Sequence, residues 1–375
     1  MPVALAPPQQ WSYQSYDGGV DGDRLDKYRS MRDFDETAEP AGARPDPSAD
    51  ADRFVVQEHH ATSLHWDLRL ERDGVLVSWA VPKGIPPDPR QNHLAVHTED
   101  HPLEYLDFHG EIPEGSYGAG SMTVWDTGTY ETHEWKDNKA TVTLHGRRVD
   151  GRYALFQTRG NQWMIHRMDP PADPTREEMP TDLRQMQATP GELPDDEDAY
   201  GFEVAWSGVR ALAFVEGGRI RLVDDDGNEV SGTFPEIRAM GRALGVTQVV
   251  LDGVLVATGP DGKPDVERMA RRLSAKSDSA VRRLMASVPV MYMPFDVLWL
   301  DGHATTDLPY EERRKRLDDL HLDGPSWKVP ATHAGQGSAL LEAARAQGLR
   351  GIVAKRLDSP YRVGETTPDW IEVRA

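Results

Sequence analysis

From Phe54 the chain runs as short apolar stretches separated by turn signals. Between Leu64 and Leu70 the period is two. Leu64, Trp66, Leu68 and Leu70 face one way, and His65, Asp67 and Arg69 face the other. That alternation predicts a half-buried strand whose polar face carries a base, an acid and a guanidinium. Asp73-Gly74 and Asp150-Gly151 each stand between apolar runs and predict hairpins. Many short strands with glycine turns predict a small antiparallel β-barrel or sandwich over about 54–168.

The pattern breaks on both sides of this block. Residues 1–53 are polar and rich in Asp, Pro and Gly, and read as an extended arm. Residues 169–197 are acidic and Pro-rich, and read as a linker. From 198 to 375, turn signals at Gly217-Gly218 and Asp226-Gly227 come first. Helical patterns over 235–244, 265–287 and 310–320 then alternate with apolar runs at 249–257, 290–300 and 351–355. That is an α+β layout.

Composition narrows the class. At roughly 100–200 residues per domain, a chain of 375 residues makes two domains the default. Ten Trp and 38% hydrophobic content are enough for packed cores. There is no cysteine, which excludes disulfides, thiolate zinc sites and a cysteine nucleophile. No run approaches the roughly 18 apolar residues of a membrane span, and the first residues lack a basic leader, so a cytoplasmic protein is expected. The net charge of −20 is lopsided: residues 1–200 carry 19 Lys and Arg against 37 Asp and Glu. Such a surface repels a phosphate backbone. A phosphate substrate then needs a metal and a few local cations.

The polar face of Leu64–Leu70 is where such a metal would sit. His59 lies six residues before His65 and can approach it across a turn. Two histidines and Asp67 make a three-ligand set with open positions, suited to Mn²⁺ or Zn²⁺. A solvated barrel face is the plain alternative and is about as common for such a strand.

The runs 54–84 and 94–120 resemble the 3′-phosphoesterase domain of the bacterial end-joining DNA ligases known as ligase D, over about residues 32–168. The resemblance implies that His59, His65 and Asp67 bind manganese, with Zn²⁺ or another divalent metal as the alternative. It also implies active-site roles for His101 and Tyr105, for Arg69 and Lys83, and for Arg32, Asp33 and Glu39 in the arm. One position departs from the family: an arginine expected eight residues before His101 is His93, a single donor in place of a two-point fork. The implied chemistry is removal of a 3′-phosphate or a terminal 3′-ribonucleotide. The metal and Arg69 would neutralise the phosphate. His101 would protonate or hydrogen-bond an oxygen, with Tyr105 as a further donor. Glu99 and Asp100 would orient the histidines. His60 reads as a surface residue. The loop 111–120 carries little signal beyond its tight-turn glycines.

Residues 198–375 resemble the nucleotidyltransferase domain of ATP-dependent DNA ligases of the end-joining kind. The runs at 202–212, 249–257, 292–302 and 348–362 carry the likeness. The resemblance implies that several chemical residues are replaced. The nucleophilic lysine is Ala205, and the carboxylate beside it is Ser207. One glutamate is Val254, a second is Arg350, and a lysine is Glu372. A Ser-Arg pair stands as Val223-Asp224. Arg210 and Lys355 keep the pattern. A methyl group cannot attack a phosphate, so a folded pseudo-ligase is expected, with ATP binding doubtful. No OB-fold is expected after Ala375.

The expected protein is therefore a multidomain chain, a barrel phosphoesterase followed by a lapsed nucleotidyltransferase scaffold, acting in double-strand break repair. A non-catalytic protein that binds DNA ends or repair partners is the alternative, and an active ligase is the lesser one. The implied partners are DNA 3′ ends on a primer–template or broken duplex. An end-binding protein, a polymerase or an active ligase would attend them, at the nucleoid and not at a membrane.

Overall fold

A computed structural model of the chain describes residues 23–42, 52–171 and 173–375. The chain divides into two compact units, Met1–Pro174 and Thr175–Ala375.

The first unit is built on nine antiparallel strands: β1 (Arg53–His60), β2 (Leu64–Arg72), β3 (Val75–Val81), β4 (Asn92–His97), β5 (Gly110–Ile112), β6 (Gly120–Lys136), β7 (Lys139–His145), β8 (Asp150–Arg159) and β9 (Gln162–Arg167). Eight of them close in the order β1-β2-β3-β4-β9-β8-β7-β6, because β6 returns to pair with β1; β5 adds to β6. The expected barrel is the fold that forms. Closure removes the strand edges that a sheet of this size would otherwise expose.

The turns follow local chemistry, with one displacement. Arg72 pairs with Val75, and Asp73 and Gly74 take φ of 51° and 77°, as a two-residue type I′ turn requires. Asp150-Gly151 is not a turn, since both residues already lie in β8 and Asp150 pairs with His145. The buried Asp126 carboxylate makes the turn instead, accepting the backbone N–H groups of Arg147, Arg148 and Val149. Gly151 serves packing: a Cβ there would stand 2.9 Å from the Arg167 guanidinium.

Burial on β2 departs from the half-buried expectation. Leu64, Trp66, Leu68 and Leu70 pack in the core, but Asp67 and Arg69 are also only 5% and 2% exposed. Their face is covered by segment 23–42, which includes the helix Asp26–Ser30, and by a short 3-10 turn at Leu103–Leu106. Tyr28, Phe34, Tyr105 and Phe108 pack there with Val55, Leu76, Ile112 and Met122. Each large apolar side chain buried this way is worth roughly 1.5–3 kcal/mol. Residues 23–42 are therefore folded onto the barrel and are not an extended arm. The rest of the expected arm, 1–22 and 43–51, lies outside the described residues.

The second unit has the expected α+β make-up. One sheet holds the strands Gln187–Pro190, Tyr200–Val204, Gly351–Arg356 and Thr366–Arg374. The other is led by Val209–Glu216, Arg219–Asp224, Val249–Ala257 and Val290–Leu300. The helical pattern at 265–287 is two helices, Val266–Leu273 and Asp278–Ser287, because Ser277 caps the second. A further helix, Gly337–Gln347, packs Leu340, Leu341 and Ala344 against its sheet and was missed in the sequence reading. The linker expected over 169–197 is shorter. Met186 is fully buried, and Gln187–Pro190 pairs in parallel with Thr366–Arg374. A four-residue strand is too short to show alternation. Among the described residues no helix is long and apolar enough to cross a membrane.

Candidate metal and phosphoester site

Pairing of β1 with β2 sets His59 opposite His65 and Gln57 opposite Asp67. The two imidazole centroids are 4.6 Å apart. The Asp67 carboxylate lies 3.6 Å from His59 Nδ1 and 3.6 Å from His65 Nε2. One ligand atom from each of the three falls within 4.8 Å of the others, and among the described residues this is the one such group. The remaining ring nitrogens are committed: His59 Nε2 donates to the Gly118 carbonyl at 2.9 Å, and His65 Nδ1 to the Ser63 carbonyl at 2.9 Å. A carbonyl only accepts, so those nitrogens carry the ring protons. The nitrogens that face Asp67 present lone pairs. Two oriented imidazoles and a carboxylate fit a divalent metal of the Mn²⁺ or Zn²⁺ kind. Burial pushes the Asp67 carboxyl up, but its charged neighbours, the Arg69 guanidinium first, outweigh it and hold the pKa well below the usual carboxylate range.

Arg69 links this set to a second group. Its Nη2 donates to Asp67 at 2.9 Å and its Nε to Gln57 Oε1 at 2.8 Å. Gln57 is itself anchored by donating to the carbonyls of Tyr105 and Phe108. Arg69 Nη1 is buried and has no hydrogen-bond partner. A buried charged donor without an acceptor is costly, and its surroundings suit an anion.

Arg32 centres the second group. Its Nε donates to Glu39 at 2.7 Å and its Nη1 to Glu99 at 3.2 Å, while Nη2 stands 3.3 Å from His101 Nε2. The guanidinium also lies 3.9 Å over the Tyr28 ring. The Tyr105 hydroxyl donates to Glu39. His101 Nδ1 donates to the Glu99 carbonyl at 2.8 Å, so its Nε2 is the accepting nitrogen. Burial, with Arg69 and Arg32 adding to it, drives the His101 pKa well down, and the ring is neutral near pH 7. Burial also pushes Tyr105 up, so it keeps its proton. Buried ion pairs of this kind contribute little net stability.

The structure thus gathers His59, His65, Asp67, Arg69, His101, Tyr105, Arg32 and Glu39. The other expected site residues have surroundings of their own. Asp33 is exposed, and its carboxylate accepts the Asp35 N–H at 3.1 Å, as a turn residue does. Lys83 is exposed in the turn after β3. His93 is buried in β4, where its Nδ1 donates to the Gly84 carbonyl at 2.7 Å. Asp100 does not orient a histidine, because Arg24 holds it at 2.8 Å. Glu99 does orient His101, through its backbone carbonyl. His60 is partly exposed and paired with Glu58. Gln57, Tyr28, Tyr117 and Gly118 were missed. Gln57 shares the period-two face of His59, which was a usable signal. The other three depend on long-range packing.

In the second unit, Ala205 ends the strand Tyr200–Val204 and its N–H donates to the Gly351 carbonyl at 2.9 Å. Ala205, Ser207 and Arg350 line a cavity of about 620 Å³. Arg350 makes a two-point pair with Glu372. Arg210 pairs with Asp252, which also accepts from the Tyr361 hydroxyl at 2.6 Å. Val254 stands opposite Arg210 in the sheet. Val223 and Asp224 end a strand, and Asp224 closes the following turn by accepting from Asp226 and Asn228. Lys355 is 2% exposed and donates to Glu203 at 2.8 Å, with Phe295, Trp370 and Tyr310 around its ammonium. Burial lowers its pKa against the pull of Glu203.

Comparison with known proteins agrees with both halves. Residues 57–157 match the DNA Ligase D 3′-phosphoesterase domain, and residues 180–374 match the ATP dependent DNA ligase domain. The class these matches define is a chain with a ligase D-type phosphoesterase domain followed by an ATP-dependent ligase domain. The chain belongs to the bacterial ligase D family. It is 42% identical over 362 residues to the multifunctional non-homologous end joining protein LigD of Mycolicibacterium smegmatis, covering 93% of this chain and 45% of that one. Identity to the protein of the same name from Pseudomonas aeruginosa is 32% over 404 residues, covering 93% and 47%. The chain thus spans about half the length of these relatives. A solved mycobacterial DNA ligase D complexed with ATP and MES is 30% identical, over 51% of this chain and 60% of that one, with a TM-score of 0.45.

Proposed function

We propose that the first unit is a metal-dependent phosphoesterase that clears a 3′-phosphate or a terminal 3′-ribonucleotide from a DNA end. The observation that carries this reading is Arg69: its Nη2 is spent on Asp67, while its buried Nη1 lacks an acceptor. A phosphate oxygen held at the His59–His65–Asp67 set would supply that acceptor. Manganese is the metal we propose, with Zn²⁺ as the alternative; when bound, it neutralises phosphate charge and polarises the ester.

The chain's own residues do the rest. Arg69 and Arg32 bind and orient the phosphate. His101 is held neutral by burial and by the positive charges of Arg69 and Arg32. An incoming dianion offsets those charges, so His101 gains affinity for a proton where the leaving oxygen needs one. Tyr105 stays protonated and keeps Glu39, and through it Arg32, in place. Arg32 and Glu39 arrive from a segment folded onto the barrel; a water from solvent would supply the oxygen that bonds to phosphorus as the bond to the leaving oxygen breaks.

We read the second unit as a ligase fold without adenylation. Ala205 offers no nucleophile. Lys355 is engaged by Glu203 and three aromatic rings. In the cell we place the protein at DNA ends at the nucleoid, with an end-binding protein, a polymerase or an active ligase as companions.

The test uses the full chain with Mn²⁺ and a 3′-phosphorylated primer–template. Wild type should release phosphate and leave a 3′-hydroxyl. His65→Ala and Asp67→Ala should lose both Mn²⁺ binding and turnover while keeping the barrel's strand signature in circular dichroism. Wild-type turnover in either variant refutes the assignment.

A further inference from the structure

Tyr28 and Arg32 stand four positions apart, the spacing that puts two side chains on one helix face. Tyr28 lies in the helix Asp26–Ser30, and the turn continues as the Arg32 N–H reaches the Arg29 carbonyl at 3.4 Å. Arg32 then folds back over its own turn. Its guanidinium carbon is 3.9 Å from the centre of the Tyr28 ring, and its Nη1 donates to the Tyr28 carbonyl at 3.2 Å. Spacing alone leaves the pair on a helix face; packing on the barrel buries it. Tyr28 is fully buried, and the Arg32 side chain is only 4% exposed.

The ring meets the rest of the same group. His101 lies 5.1 Å from it and Tyr105 5.9 Å, the second edge-on. Burial keeps the Tyr28 hydroxyl protonated, and it donates to the Pro40 carbonyl at 2.6 Å, one residue from Glu39. One side chain therefore supports both Arg32 and the residue beside its carboxylate partner. A guanidinium carries five N–H groups. On Arg32 four of them go to Glu39, Glu99, the Tyr28 carbonyl and His101, and the fifth is on Nη2. The hydrogen bonds hold the fork along its edges, and the ring limits its tilt.

We propose that Tyr28 is a positioning residue for phosphoester hydrolysis and acts through the face of its ring. By seating the Arg32 guanidinium, the ring sets the direction of that fifth N–H toward a phosphate oxygen held by Arg69 and the His59–His65–Asp67 set. The proposal rests on the phosphoesterase reading above. A cation over an aromatic face is attracted by the electron-rich centre of the ring, most strongly where water is excluded. The hydroxyl has a separate duty, since it serves the Pro40 carbonyl and not the guanidinium. The electron density of the ring should therefore govern turnover, and the hydroxyl should not.

The experiment uses the full chain with Mn²⁺ and a 3′-phosphorylated primer–template. It compares wild type, Tyr28→Phe and Tyr28→Leu with chains that carry mono-, di- or trifluorophenylalanine in place of Tyr28. The fluorinated rings keep nearly the shape of Phe while drawing electrons from its face. Tyr28→Phe should keep kcat/KM near wild type. Tyr28→Leu should lower it about 5- to 30-fold, the scale of a desolvated cation–aromatic contact. The fluorinated series should fall stepwise from the Phe value toward the Leu value. Calorimetric Mn²⁺ affinity should hold throughout, since the ring acts on Arg32. Tyr28→Leu also leaves a gap in the packing and should lower the thermal midpoint, so the nearly isosteric series decides.

A flat fluorinated series overturns the proposal even where Tyr28→Leu is slow, because packing alone then accounts for the ring. A loss in Tyr28→Phe equal to that in Tyr28→Leu also overturns it and assigns the effect to the hydroxyl. So does a loss that tracks weakened Mn²⁺ binding. If wild type releases no phosphate, the phosphoesterase reading falls and this role falls with it. That outcome is distinct from an active wild type with an indifferent fluorinated series.

Discussion

Arg350 and Glu372 form a two-point ion pair, with guanidinium Nε and Nη2 at 2.9 and 3.0 Å from the two carboxylate oxygens. By the family resemblance these positions are a glutamate and a lysine, so the signs are exchanged while the two charges remain opposite. A site losing chemistry at random would leave one charge facing nothing. On the reading proposed above, the exchange keeps opposite charges at these two positions and gives up the arrangement that a triphosphate and its metal would require.

The exchange predicts a double-mutant cycle. Arg350→Glu or Glu372→Lys should each lower the thermal midpoint, and the two together should restore most of it. Arg350 is 52% exposed, so solvent screens the pair. A coupling of no more than about 1 kcal/mol is expected. Additive effects would show that the pair carries no interaction.

Ala205→Lys alone should not form a covalent adenylate with labelled ATP on a denaturing gel. The restored amine would still lack Ser207→Asp, Val254→Glu, Arg350→Glu and Glu372→Lys. A well-placed electrostatic group is worth roughly 2.7–4 kcal/mol in a transition state, and losses within one site do not simply add. The five-fold variant is the comparison. A labelled band from the single variant would show a better-preserved pocket than argued above.

Arg69→Gln should cut phosphate release about 10²- to 10³-fold, the cost of one preorganised charge donor. It should also destabilise the barrel, because Asp67 and Gln57 lose a buried donor, at about 1–3 kcal/mol for each unsatisfied group. Arg69→Lys should not rescue turnover, since an ammonium cannot serve Gln57, Asp67 and a phosphate in fixed directions. kcat/KM and a urea midpoint measured together separate the two effects.

His97 sets a pH dependence of stability. Burial, with Lys27 and Arg24 adding to it, lowers its pKa to about 4. The unfolded chain, at an ordinary value near 6.5, binds this proton first as pH falls. Stability from neutral His97 is therefore complete above about pH 6.5 and declines toward about pH 4, by up to about 1.4 kcal/mol per pH unit. His97→Gln should flatten the change in urea midpoint between pH 7 and pH 5 relative to wild type. An unchanged slope would place the dependence on other groups.

Part of this protein was legible in its residues. The β2 alternation and the Asp73-Gly74 turn are local, because side-chain direction and positive φ are fixed within a few residues. The same locality put His59, His65 and Asp67 within reach on consecutive strands. The expectation that Ala205 stands where the resembled family has its nucleophilic lysine comes from the sequence alone.

What the tertiary structure decided is which polar groups share a buried space. Arg32 meets His101 across 69 positions and Tyr105 meets Glu39 across 66. Neither pairing follows from any short period. Asp33, one residue from Arg32, turns outward, and Asp100, one residue from His101, goes to Arg24. Neighbours in sequence part company because a backbone step points successive side chains in different directions. Only packing determines which direction is dry. There an unpaired charge is costly, and a polar group is retained only where a partner or a ligand can meet it.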